Sequence, residues 1–167
     1  MDVIWAPWRM EYILGEKIAE CIFCSFQKFP KEDEKNLVIH RGKQCFVMLN
    51  KYPYNNGHLM VIPYRHVADF TELNHDELLE IMILTQKVLK VFNMTMKPSG
   101  FNAGINLGKV AGAGVEDHVH LHVVPRWEGD TNFMPVIGST KVMPQHILDT
   151  YNMLKAAWKS EEVKRES

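Results

Sequence analysis

The chain is poor in cysteine. It has three in 167 residues, an odd number, and two of them, Cys21 and Cys24, sit close together. That excludes the disulfide framework of a small secreted domain and fits a reducing compartment, so a cytoplasmic location is expected. Long apolar runs are missing too, and nothing approaches the roughly 20 residues of a membrane span. Neither sign of charge is in excess: 19 Lys+Arg against 20 Asp+Glu leave a formal net charge of −1. Whole-chain electrostatics therefore give no case for nucleic acid or an anionic membrane as partner. The opening Met1-Asp2-Val3-Ile4-Trp5-Ala6-Pro7-Trp8-Arg9 has no basic region followed by an apolar core, so no secretory signal is expected. Repeats and low-complexity tracts are absent. What remains is one domain of common size, 46% hydrophobic and 23% charged, long enough for a proper core.

Histidine, by contrast, is concentrated. In Asp117-His118-Val119-His120-Leu121-His122-Val123-Val124-Pro125-Arg126-Trp127, imidazole and aliphatic side chains alternate. A period of two predicts a β-strand, with Val119, Leu121 and Val123 on one face and His118, His120 and His122 on the other, about 6.6 Å apart. Imidazoles in a row are costly to bury without partners. A half-exposed strand that merely carries histidines is the bland alternative. A metal site is the better one, but a straight row cannot surround an ion, so at most one or two of these rings share a metal.

Other stretches carry weaker signals. Cys21-Ile22-Phe23-Cys24 suits a redox pair or half of a metal knuckle. The redox reading wants a helix directly afterwards, which Phe26-Gln27-Lys28-Phe29-Pro30 does not predict. Short strands are expected over 37–40, 44–49, 58–62 and 101–107. Asn50 to Gly57 reads as a loop. Cys45, among Phe46, Val47 and Met48, reads as core, and His58 as a structural histidine. Asn74 with Glu77 predicts a capped helix that ends before Pro98. Its apolar stripe is wider than one core face needs, which suggests a dimer contact. Gly108-Lys109-Val110-Ala111-Gly112-Ala113-Gly114 could be a plain tight connection, but directly before the histidine strand it reads as a phosphate loop. Pro144 is expected to open a last helix that runs to about Trp158, before a solvated tail.

His118-x-His120-x-His122 followed by two apolar residues resembles the signature of the histidine triad (HIT) family, nucleotide hydrolases and transferases that act on an α-phosphate. Trp5-Ala6-Pro7-Trp8-Arg9, Ala111-Gly112-Ala113-Gly114 and Pro125-Arg126-Trp127 are similar to the branch that cleaves diadenosine polyphosphates. The resemblance runs from about Trp5 to Trp158. It implies an α+β, HIT-like fold: an antiparallel sheet with one long helix and a C-terminal helix, in a homodimer. Its divisions would be an arm over 1–20, the HIT domain with its zinc knuckle over 21–127, a C-terminal extension over 128–159 and a tail over 160–167. The arm either packs over the core or crosses toward the partner or the nucleotide.

In family terms His120 is the nucleophile. The backbone carbonyl of His118 fixes its tautomer, and His122 donates to a phosphoryl or bridging oxygen. Backbone amides of Gly112, Ala113, Gly114 and Val115 meet the phosphate, Asn50 meets the ribose, and Asn106 is the polar residue before the loop. Cys21, Cys24, His66 and His118 would hold a structural zinc, with no organic cofactor. Lys109 and Arg126 are candidate contacts for the leaving polyphosphate, although Arg126 and Trp127 could equally be a structural strand end. The implied function is cleavage of diadenosine tri- or tetraphosphate at the α-phosphorus, with water or inorganic phosphate as acceptor. Two alternatives stand beside it: a nucleoside phosphoramidase, and a zinc-containing nucleotide-binding regulatory protein with little turnover. The phosphoramidase branch has Gly-Gln-Ser before its triad. Gly112-Ala113-Gly114-Val115 has neither the amide nor the hydroxyl, which counts against that alternative.

Overall fold

The computed structural model describes residues 21–138 and 142–166, so the aromatic arm lies outside the described residues. One antiparallel sheet contains β1 (Val38–Arg41), β2 (Cys45–Leu49), β3 (Leu59–Pro63), β4 (Gly100–Ile105) and β5 (Leu121–Arg126), in the order β1-β2-β3-β5-β4. The described helices are α1 (Ile22–Lys28), α2 (His75–Thr95), α3 (Met134–Gly138) and α4 (Ile147–Glu166), and this is the expected α+β architecture.

Both faces of the central strands are covered, so β2 and β3 are apolar throughout rather than alternating. Cys45, Val47, Leu49, Leu59 and Val61 join Val88, Phe92, Leu154 and Trp158 in the core beneath α2 and α4. Phe46, Met48, Met60 and Ile62 turn the other way and pack with Val38 and with Phe23 of α1. Each fully buried aliphatic side chain contributes about 1.5–3 kcal/mol. Burial pushes the Cys45 thiol up to about 12, so it behaves as the core residue expected.

Helix α2 begins at the predicted cap. The Asn74 side chain accepts from the Glu77 amide at 2.9 Å, and the Glu77 carboxylate accepts from the Asn74 amide at 2.9 Å. Ile81, Leu84, Val88, Val91 and Phe92 face inward, whereas Leu79, Met82 and Ile83 remain exposed. Met82 therefore belongs to the outer face.

Three expectations need correction. Helix α4 starts at Ile147, not Pro144, because His146 caps it: its Nδ1 accepts from the Leu148 amide at 3.3 Å. The same helix continues through Glu166, so the supposed tail is helical from 160. Lys87 of α2 holds Glu162 at 2.7 Å, and Trp158 Nε1 donates to that carboxylate. Finally, Ile22–Lys28 is helical, where no helix was expected around the cysteines. One helical turn puts Cys21 and Cys24 on the same side.

Candidate active site

The histidine stretch enters the sheet later than its alternation predicts. Strand β5 begins at Leu121, so only His122 lies within it, opposite Met60 of β3 and Gly104 of β4. The two residues before it are held otherwise. The Val119 amide donates to the Val67 carbonyl at 2.7 Å, outside the β3 ladder. The His118 ring reaches the Pro63 carbonyl at 2.9 Å. Alternation of faces survives: Val119, Leu121 and Val123 join the core under the helices, and the rings point to the opposite side. Phe23 packs edge-on against His118 and tilted against His120, with ring centroids 5.4 and 5.1 Å away.

The protons on these rings follow from their neighbours. A carbonyl can only accept, so His120 Nδ1, 2.8 Å from the His118 carbonyl, carries the hydrogen. Its Nε2 is then a bare lone pair. The His118 Nε2–H donates to Pro63, which leaves His118 Nδ1 bare. That nitrogen lies 3.4 Å from Cys21 Sγ and 3.7 Å from Cys24 Sγ. His58, fully buried, completes the set. The Tyr54 amide donates to its Nδ1 at 3.0 Å, and Asn50 Nδ2 approaches the same atom at 3.3 Å. His58 Nδ1 must therefore be bare, and its Nε2–H donates to His122 Nδ1 at 2.9 Å. His122 is left with its hydrogen on Nε2. The Asn106 amide nitrogen stands 3.5 Å from that atom. Two donors do not bond, so among the described residues none accepts the His122 N–H.

Burial keeps these rings neutral. It lowers His118 to about 4, and the neighbouring His66 and His120 add to the shift against the Pro63 hydrogen bond. His122 falls to about 4 through burial and then through His120. His120 is lowered by burial, partly offset by its bond to the His118 carbonyl. A nucleophilic nitrogen and an N–H donor thus stand side by side, ring centroids 4.6 Å apart, both uncharged at neutral pH.

The other expected residues divide into those brought to this site and those that are not. Asn50 reaches it through His58, and Asn106 sits at its rim. The loop before the triad makes a single 3-10 turn, Lys109–Ala111, between Gly108 at φ 79° and Gly112 at φ 87°. These left-handed values favour glycine. Gly112 and Gly114 are exposed, Ala113 is half-buried, and Val115 packs toward the Phe23 cluster. Arg126 is not aimed at the triad. It lies about 13 Å along the strand from His122 and is engaged by Asp130 at 2.6 Å and Asn102 at 2.8 Å. Trp127 donates to the Met96 carbonyl at 3.2 Å, so this segment is a structural strand end.

Cys21, Cys24, His66 and His118 do converge, with one ligand atom from each within 4.8 Å of all the others. Cys24 Sγ to His66 Nδ1 is 3.4 Å. A tetrahedral zinc with ordinary bond lengths needs S···N edges of about 3.5 Å, so the donor set fits. His58 was expected only as a structural histidine, and Tyr54 was not singled out from sequence. The only available signal was their place in the Asn50–His58 loop, since the His58–His122 contact joins residues distant in the chain.

Known proteins give the same outline. The HIT domain family model matches residues 31–129. The AP-4-A phosphorylase of Mycobacterium tuberculosis (strain H37Rv) is 43% identical over 162 residues, covering 93% of this chain and 83% of that protein. The asymmetrical bis(5'-nucleosyl)-tetraphosphatase of Schizosaccharomyces pombe is 35% identical over 105 residues, covering 63% of this chain and 56% of that one. A zinc-bound histidine triad family protein from Mycobacterium smegmatis superposes with a TM-score of 0.69 at 25% identity, over 87% of this chain and 97% of that one.

Proposed function

The chain belongs to the HIT domain family, and from that premise we propose that it cleaves diadenosine tetra- or triphosphate at the α-phosphorus, with inorganic phosphate as acceptor. The observation that carries this is the bare Nε2 of His120, fixed by the His118 carbonyl at 2.8 Å. That nitrogen bonds to the α-phosphorus as the bridging P–O bond breaks, and the electron pair leaves on the nucleoside polyphosphate. His122 donates its Nε2–H to a phosphoryl or bridging oxygen. Amides of the 112–115 segment stabilise the charge that develops on the phosphoryl oxygens, and Asn50 meets the ribose. Phosphate then takes the adenylyl group from His120, giving ADP. The 43% identity with a phosphorylase over 93% of the chain supports this acceptor.

Product analysis of diadenosine tetraphosphate turnover tests it. ADP plus ATP, formed only when phosphate is present, is the expected result. AMP plus ATP at a rate indifferent to phosphate would make water the acceptor. Two ADP without phosphate would refute attack at the α-phosphorus.

Cys21, Cys24, His66 and His118 would hold a structural zinc, which supplies a fixed anchor for the His118 ring. The expected content is about one zinc per chain, and it should vanish in a Cys21→Ser, Cys24→Ser variant together with part of the thermal stability. Unchanged metal in that variant would remove the assignment. The exposed Leu79, Met82 and Ile83 support a homodimer, which sedimentation of the intact chain tests. The odd number of cysteines, two of them read as zinc ligands, supports a cytoplasmic location. None of the described helices is long and apolar enough to cross a membrane.

A further inference from the structure

Tyr54 stands beside the reacting groups without a part in the mechanism above. Its ring lies over two of the histidines, with centroids 4.6 Å from His58 and 5.5 Å from His122. The ring sequence is therefore His120, His122, Tyr54, since His120 and His122 are themselves neighbours at 4.6 Å. Half of the Tyr54 surface is exposed, 50%, so burial alone does not account for an aromatic residue here. Its hydroxyl oxygen accepts from Asn106 Nδ2 at 3.2 Å, and that same nitrogen stands 3.5 Å from His122 Nε2. Asn106 thus holds the phenol oxygen close to the His122 donor, and the hydroxyl hydrogen points away from Asn106. Beside His122 in the sheet is Gly104, where an added Cβ would meet no atom of the described residues within 4 Å. The surface leading outward from the triad past His122 is therefore open on the β4 side and bounded by Tyr54 on the other.

We propose that the Tyr54 hydroxyl is a catalytic donor to the leaving polyphosphate. It would supply from the β2–β3 loop the hydroxyl that the glycine-rich loop lacks. This rests on the reading of His120 as nucleophile toward an α-phosphorus. As the bond from phosphorus to the bridging oxygen breaks, its electron pair passes to the leaving phosphate chain, which runs outward past His122. Tyr54 donates a hydrogen bond to that chain and keeps its proton throughout, so no co-reactant is needed. The side chain contributes nothing to the nucleoside half held at Asn50. Its effect is confined to phosphates beyond the one attacked.

Two measurements on Tyr54→Phe, which keeps the ring on His58 and His122, test this. The first is calorimetric titration with ATP and with AMP in a His120→Ala background, where nothing is consumed. Loss of one hydrogen bond to a charged group should weaken ATP about ten-fold and leave AMP unchanged. The second is turnover of diadenosine tetraphosphate by the chain with His120 intact, where kcat/KM should fall about ten-fold with an unaltered melting temperature. Equal weakening of ATP and AMP, or no weakening of either, overturns the proposal and makes Tyr54 a packing residue. A chain that cannot cleave diadenosine tetraphosphate, but whose Tyr54→Phe variant still loses ATP selectively, refutes the reaction and leaves the polyphosphate contact standing.

Discussion

The two sides of the site are built in opposite ways. On one side are the four histidines at 58, 118, 120 and 122. All are buried, and each ring is set by a carbonyl, an amide or another ring. On the other is the 108–114 loop, exposed, carried by one 3-10 turn between two left-handed glycines. The first side has its protons assigned before any substrate arrives. The second offers backbone with room around it: an added Cβ at Gly108, Gly112 or Gly114 would meet no atom of the described residues within 4 Å. On the proposed function, the rigid side decides which nitrogen attacks, and the open one which anions fit beside it. Substitutions in the two halves should differ in kind as well as in size.

The largest effect belongs to the centre of the rigid side. His120→Ala should lower turnover by about 10⁴–10⁶-fold while AMP binding, read by calorimetry, stays within a few-fold. Near-normal turnover would dissolve the contrast, because the fixed lone pair would then have no role. Next is His58→Ala, which removes the donor to His122 Nδ1 and frees His122 to take the wrong tautomer. A loss of about 10²-fold in kcat is expected, although this side chain touches no substrate. An unchanged kcat would mean that His122 is oriented by something other than His58.

Legibility in the sequence follows the same division between local and distant causes. The capped helix, the both-sides-buried runs of β2 and β3 and the alternating histidines are written in consecutive residues, and all could be read there. The proton on His120 was implied by the family resemblance alone, and the others could not be read, because they depend on contacts such as His58 to His122 and His118 to Pro63 that join distant parts of the chain. The start of α4 was misplaced because Pro144 is a familiar opening residue, whereas the cap is a histidine two positions later. The helical tail was missed because its anchor, Lys87, belongs to another helix. Arg126 carries the charge of a phosphate contact, but Asp130, four residues further along the chain, occupies it.

The pH dependence sharpens the contrast more gently. His118, His120 and His122 each have a folded pKa below the unfolded value near 6.5, so as the pH falls the unfolded chain takes protons first. Stability is therefore fully present above pH 6.5 and is lost as the pH falls toward 4. For His122 alone the loss is on the order of 3 kcal/mol. Urea unfolding at pH 7 and pH 4.5 measures it, and identical midpoints would mean that water reaches these rings. Activity has the same sign. Its acid limb should lie below pH 6.5 rather than at it, because burial lowers His120.

The smallest effect is on the open side. Gly112→Ala forces a side chain into a left-handed conformation at φ 87°, a cost of about 1–2 kcal/mol if the loop holds its shape. An exposed turn can relax instead. The expected outcome is a KM for diadenosine tetraphosphate raised a few-fold, with kcat nearly unchanged and no measurable shift in melting temperature. A collapse of kcat would mean that the loop is as firmly specified as the histidines.

His118 faces three ways at once: Nδ1 toward the thiols, Nε2–H toward Pro63, and its carbonyl toward the nucleophile. Only the carbonyl enters the chemistry, and a peptide carbonyl is common to every amino acid. On the proposed mechanism, histidine at 118 holds the main chain still, whereas at 120 the ring itself reacts. Over evolutionary time the two positions therefore drift under different rules. On that mechanism position 118 would be exchangeable wherever another clamp held the same stretch of backbone, and the cysteines and His66 would be released with it. Position 120 has no such exit, so the family's middle histidine should outlast the metal knuckle wherever the two part company.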